Sequence, residues 1–130
     1  MTQPSLDDVF SRQRAAVGRE PYPSAAARKD RIRRALDATI ANQQAIIDAT
    51  AADFGKRPEL TTIAADLLYP VGHLKHALKH VESWMRVERR KADFPFNLLG
   101  AKARVFYQPL GVVGIMAPWN LPFALGYAPL

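Results

Sequence analysis

Apolar positions through the first ninety residues recur at spacings of three and four, which predicts a helical amino-terminal half. Leu6, Val9, Phe10 and Val17 share one side and predict a short helix from Leu6 to Val17. Gly18 suits its C-terminal cap, and the prolines around Tyr22 break the chain beyond it. Ser24 is placed to cap a second helix, from about Ala25 to Asp53. Its stripe is Ile32, Leu36, Ile40, Gln43, Ile47, Thr50 and Phe54, with Arg28, Lys29, Arg33, Arg34, Asp37 and Asn42 opposite and Gly55 as the stop. Pro58 and Glu59 open a third helix with the stripe Leu60, Ala64, Leu67, Val71, Leu74, Leu78, Val81 and Met85. Pro70 lies inside that run and predicts a kink there, because it lacks a backbone donor and crowds the preceding turn. The two long helices are expected to pack antiparallel across the Phe54-Gly55-Lys56-Arg57 turn.

The period changes after Arg89. "RRKADFPFNLLGAK" reads as a connector, and "ARVFYQP" alternates as a half-buried strand, with Val105 and Tyr107 on one face and Phe106 and Gln108 on the other. "GVVGIMA" is continuously apolar and β-branched at Val112, Val113 and Ile115, which predicts a strand covered on both faces, as in a parallel sheet. Pro122 then starts another helix. The expected fold class is therefore α/β: a helical segment and connector over residues 1–102, then a strand and the start of an α/β unit over 103–130. A strand buried on both faces needs neighbours that this stretch does not supply, so the sequence reads as the leading part of something larger.

Composition narrows the options. Hydrophobic residues make up 48% and charged residues 23%, the balance of a folded domain rather than a disordered chain. The chain has no cysteine, which excludes a disulfide framework, a thiolate metal site and a cysteine nucleophile within it. "MTQPSLDDVF" carries acids where a secretory signal needs an apolar core, and no run approaches the roughly 18 apolar residues of a membrane span. No membrane partner and a cytoplasmic location are expected. Lys and Arg number 18 against 12 Asp and Glu, a net charge of +6, which raises the possibility of a nucleic-acid partner. The run "RVERRK", Arg86 to Lys91, would be its centre, but it suits a helix C-terminus equally and has no aromatic residues interleaved for base stacking. No nucleic acid is expected on that ground. His73, His76 and His80 share a helix face beside Leu74 and Val81, with no further ligand nearby, so no metal site is expected. The heptad-like third helix is interrupted by Pro70 and suits packing within a globular protein better than a coiled coil.

The chemistry concentrates in "QPLGVVGIMAPWNLPF", Gln108 to Phe123. A strand running into Pro118 and then a helix places its carboxyl end where α/β sheets bind ligands. Trp119 offers a face for a planar group, and Asn120 offers amide donors for an oxygen gaining negative charge; equally, they could be a packed tryptophan and a turn asparagine. The whole block resembles the aldehyde dehydrogenase family, in which a proline-x-glycine-x-valine strand leads to a Pro-Trp-Asn-x-Pro turn. The helical half, "ARKDRIRRALDATIANQQAIIDATAADFGKRPELTTIAADLLYPVGHLKHALKHVESWM", is similar to the class-3-like branch, and "DFGKRPELT" and "HALKHVESWM" to bacterial coniferyl aldehyde dehydrogenases. The resemblance implies a Rossmann-type cofactor domain, NAD or NADP as cofactor, an aldehyde substrate and a homodimer. It assigns Asn120 the side-chain half of an oxyanion hole and places Ile115, Met116, Ala117, Pro118 and Trp119 at the junction of cofactor and substrate. The family's cysteine nucleophile, general-base glutamate and glycine-rich cofactor turn are absent, so the segment alone is expected to be inactive. The alternative is a self-contained basic helical module that binds another protein or nucleic acid.

Overall fold

The computed structural model describes residues 3–130, and its contacts gather into two units. One comprises Ala26–His80 with Gly114–Leu130, the other the stretch up to Ala25 with Val81–Val113.

In the first of these the expected second helix is divided into α2, Ala25–Ala41, and α3, Gln43–Phe54. The division falls at Asn42: its backbone sits at φ −106°, ψ 14°, and the Ala38 carbonyl accepts from both its N–H at 3.1 Å and its Nδ2 at 2.8 Å. A short amide side chain of this kind competes with the helical ladder for the same carbonyl. The buried face consists of Leu36, Thr39, Ile47 and Thr50. Ile40 and Gln43, expected on that stripe, are exposed. The Thr39 and Thr50 hydroxyls are satisfied in the core by donating to the carbonyls of Ala35 and Ile46, at 2.8 and 2.7 Å. Gly55 ends α3 as expected, at φ 73°, a left-handed conformation that a side chain disfavours.

The expected third helix is also divided. A single turn α4, Glu59–Thr61, leads into a wide π-helical turn, Thr62–Leu67, and then α5, Leu68–Trp84. The distortion lies upstream of Pro70, which is itself fully buried within α5. Pro70 can give no N–H to the Asp66 carbonyl and its ring crowds that oxygen; a widened turn immediately before it relieves both problems. The extra residue per turn shifts the helix phase. Leu67, Leu74 and Val81 are buried as the stripe requires, but before them Thr62 and Asp66 point inward while Leu60 is 75% exposed. The 62–67 turn packs against both α3 and α6, Pro122–Tyr127, and is the centre of this unit.

In the other unit, α1 spans Leu6–Arg19 and opens on a capping box in which the Asp8 N–H donates to Ser5 Oγ at 3.1 Å and the Ser5 N–H to Asp8 Oδ2 at 3.2 Å. The helix runs past Gly18, which lies in its last turn instead of capping it, and no residue of α1 is buried. Strand β1, Glu88–Arg90, pairs antiparallel with β2, Ala103–Val105, in the only sheet among the described residues. The first of these lies in what the sequence suggested was connector. The second is shorter than the alternating run, and Phe106 and Tyr107 beyond it are 59% and 57% exposed, so the run is not half-buried. Side-chain alternation puts Glu88 and Arg90 on one face, where they form an ion pair and Glu88 accepts from the Tyr107 hydroxyl at 2.8 Å. On the other face Arg89 stands directly opposite Arg104. The 111–117 stretch, expected as a strand covered on both faces, has no ladder partner among the described residues, and Met116 is 96% exposed. A strand exists only by pairing, and apolar β-branched sequence alone does not supply a partner.

Like charges directly opposite in a ribbon repel, so Arg104→Glu should stabilise it by roughly 0.2–1 kcal/mol, seen as a higher midpoint in denaturant unfolding. The hydrogen bond to the Glu88 carboxylate, and then its charge, raise the Tyr107 pKa above the ordinary 10.0. This contribution is complete below the ordinary value and is lost as pH rises through the raised one. Glu88→Gln should bring the midpoint of tyrosinate absorbance back down.

Candidate functional site

The chain passes Ala117 and Pro118, turns at Trp119 and Asn120, and enters α6 with Pro122 in the first turn, as the sequence predicts. The residue at the N-cap is Leu121, which has no side-chain oxygen for the orphan amides of that turn. The missing acceptor comes from a distant part of the chain: Asp66 Oδ1 accepts from the Ala124 N–H at 3.0 Å. The other carboxylate oxygen, Oδ2, meets Arg57 Nη2 at 2.6 Å. Arg57 then reaches past it, and its Nη1 donates to the main-chain carbonyl of Asn120 at 3.0 Å. The two side chains retain 8% and 0% of their exposure, so each charge depends on the other. The guanidinium also lies over the Phe54 ring, 4.9 Å from its centroid.

This arrangement clamps the turn by its backbone and leaves its side chains outward. Asn120 and Pro118 are exposed, Trp119 is 73% exposed, and Ile115 and Met116 lie open beside them. Ala117 is half-buried against α6, where a Cβ added to Gly126 would stand 3.4 Å from the Ala117 Cβ. The residues singled out in the sequence thus lie contiguously along one segment, with Asn120 exposed on a turn whose main-chain carbonyl Arg57 holds.

Arg57 and Asp66 were not singled out by the sequence patterns. Asp66 had a signal: it is the one charge in "TTIAADLLYP", an otherwise uncharged run. The histidines stay apart from this site. His76 and His80 approach each other, with ring centroids 4.3 Å apart, while His73 lies against Tyr69. Among the described residues no group of three or more His, Cys, Asp or Glu gathers to hold a metal, and no helix is long and apolar enough to cross a membrane. The basic residues in and beside the ribbon, Arg89, Arg90, Lys91, Lys102 and Arg104, line a cleft of about 390 Å³ with Asn97.

The sequence profile of the aldehyde dehydrogenase family matches residues 2–129. A probable coniferyl aldehyde dehydrogenase of Caulobacter vibrioides is 41% identical over 126 residues, 96% of this chain and 26% of that protein. A coniferyl aldehyde dehydrogenase of Pseudomonas sp. strain HR199 is 46% identical over 103 residues, 79% of this chain and 21% of that protein. Aldehyde dehydrogenase family 3 member H1 of Arabidopsis thaliana is 34% identical over 85 residues, 65% of this chain and 17% of that protein. The chain spans about a quarter or less of the length of these relatives. With a match from end to end and the Pro-Trp-Asn turn set on a fixed backbone, the chain belongs to the aldehyde dehydrogenase family.

Proposed function

We propose that this chain is the amino-terminal part of an NAD- or NADP-dependent enzyme that oxidises an aldehyde to its carboxylate, and that Asn120 is a catalytic residue in it. The observation that supports this most directly is the exposed carboxamide of Asn120 on a turn held by Arg57. When a nucleophile adds to an aldehyde, the carbonyl oxygen takes on negative charge. An amide donor already in place stabilises that charge without reorganising, which is where such donors lower the barrier most. The chain contains no cysteine, so the thiolate nucleophile belongs to parts of the complete protein outside these residues, and the family resemblance places the general base there as well. The segment by itself is then inactive.

Ile115, Met116, Ala117, Pro118 and Trp119 are the residues here that would line the cofactor. Their fit rests on the open apolar surface that Met116 and Trp119 present, 96% and 73% exposed, which a planar ring can cover. The cofactor supplies the hydride acceptor; these side chains supply a wall that excludes water from it. In the complete protein the unpaired 111–117 stretch becomes a strand of a Rossmann-type α/β domain beginning near residue 103, once neighbouring strands pair with its edges and helices cover its faces. The names of the Caulobacter and Pseudomonas relatives favour coniferyl or another aromatic aldehyde as substrate. We place the complete enzyme in the cytoplasm as a homodimer. No membrane or nucleic-acid partner is part of this reading, and a basic helical binding module is the less favoured alternative, because the family match runs through the whole chain.

In the complete enzyme Asn120→Ala should lower kcat by about 10²-fold or more and leave cofactor affinity unchanged. Equal losses in turnover and cofactor affinity would assign Asn120 to structure instead.

A further inference from the structure

The part of Asn120 that the fold holds is its carbonyl, and the group that holds it is charged, buried and distant in sequence. Arg57 Nη1 donates to the Asn120 carbonyl at 3.0 Å, and Arg57 Nη2 is fixed by Asp66 Oδ2 at 2.6 Å. Asp66 Oδ1 holds the amide of Ala124 at 3.0 Å. The turn from Asn120 to Ala124 is therefore gripped at its carbonyl end and at its amide end by one ion pair. Nothing local duplicates that grip, because Leu121 cannot cap α6. Asp66 itself projects from the π-helical turn, whose shifted phase brings this carboxylate to 0% exposure. We propose that Arg57 and Asp66 are positioning residues for catalysis: they set the peptide that carries Asn120, and so fix where its carboxamide donors point. This rests on the oxyanion role given to Asn120 above.

The geometry distinguishes a positioning role from general support of the fold. Arg57 bridges two acceptors with two separate nitrogens of one planar group, which a lysine cannot do with its compact ammonium. Arg57→Lys therefore keeps a cation beside Asp66 while releasing the Asn120 carbonyl. A displacement of even about 1 Å at a reacting group costs up to roughly 100-fold in rate.

The test is a double-mutant cycle in the complete enzyme, measuring kcat and cofactor affinity for Arg57→Lys, Asn120→Ala and both together. Arg57→Lys alone should lower kcat by about 10- to 100-fold with cofactor affinity kept. In the Asn120→Ala background it should cause no further loss, because the group it positions is gone. Hydrogen exchange is the accompanying measurement: the 119–125 backbone should exchange faster in Arg57→Lys, with the rest of the protein unchanged. Multiplying losses, a wild-type kcat in Arg57→Lys, or faster exchange throughout the protein would overturn the proposal. A wild-type kcat in Asn120→Ala would do so differently, by removing the oxyanion role itself, so the two failures are distinguishable.

Discussion

A carboxylate with no exposure to water must find partners for both of its oxygens, and Asp66 finds them in Arg57 and in the backbone of α6. Removing one member of such a pair generally costs about 3–5 kcal/mol, because the remaining charge is left buried and unanswered. That is a large fraction of the stability of a domain. The pair therefore constrains everything it touches: the α3–α4 turn that carries Arg57, the 62–67 turn that carries Asp66, and the Asn120–Ala124 segment that both hold. Residues far apart in the chain are brought to one point by a requirement of electrostatics, and the 62–67 turn that carries Asp66 packs against both α3 and α6.

The π-helical turn makes this geometry possible. A regular helix through residues 59–84 would keep Leu60, Ala64 and Leu67 on one face and carry Asp66 away from it. Pro70 disfavours the regular ladder at the Asp66 carbonyl, and the added residue in Thr62–Leu67 rotates the preceding turn so that Thr62 and Asp66 face inward. A proline that would ordinarily be a defect in a helix thus accompanies the turn that places the carboxylate paired with Arg57.

The oxyanion role proposed for Asn120 makes a demand on the fold, and the way its turn is held would meet it. An oxyanion donor must be rigid before the reaction begins. Under the role proposed for Asn120, the donor would stay open to a ligand while the buried ion pair holds its main chain. The outward carboxamide and the inward guanidinium are two sides of one peptide.

The sequence by itself determined the helical half, the Gly55 stop, the Pro58 and Pro122 helix starts and the Pro-Trp-Asn block, because each depends on local propensity or on a contiguous motif. Its unbroken second helix failed at Asn42, and the kink expected at Pro70 is instead a widened turn upstream over Thr62–Leu67, a shift that apolar spacing does not register. The strand expected at 111–117 failed for another reason: pairing needs a neighbour, and the alphabet of one segment cannot say whether a neighbour stands beside it. The clamp was the least legible feature of all. Arg57 and Asp66 are nine positions apart, and Asp66 meets an amide 58 positions away. Only tertiary structure could decide that one isolated acid in an uncharged run would be buried, paired with Arg57 and set against the Ala124 amide, since burial is a property of the assembled core and not of the residue.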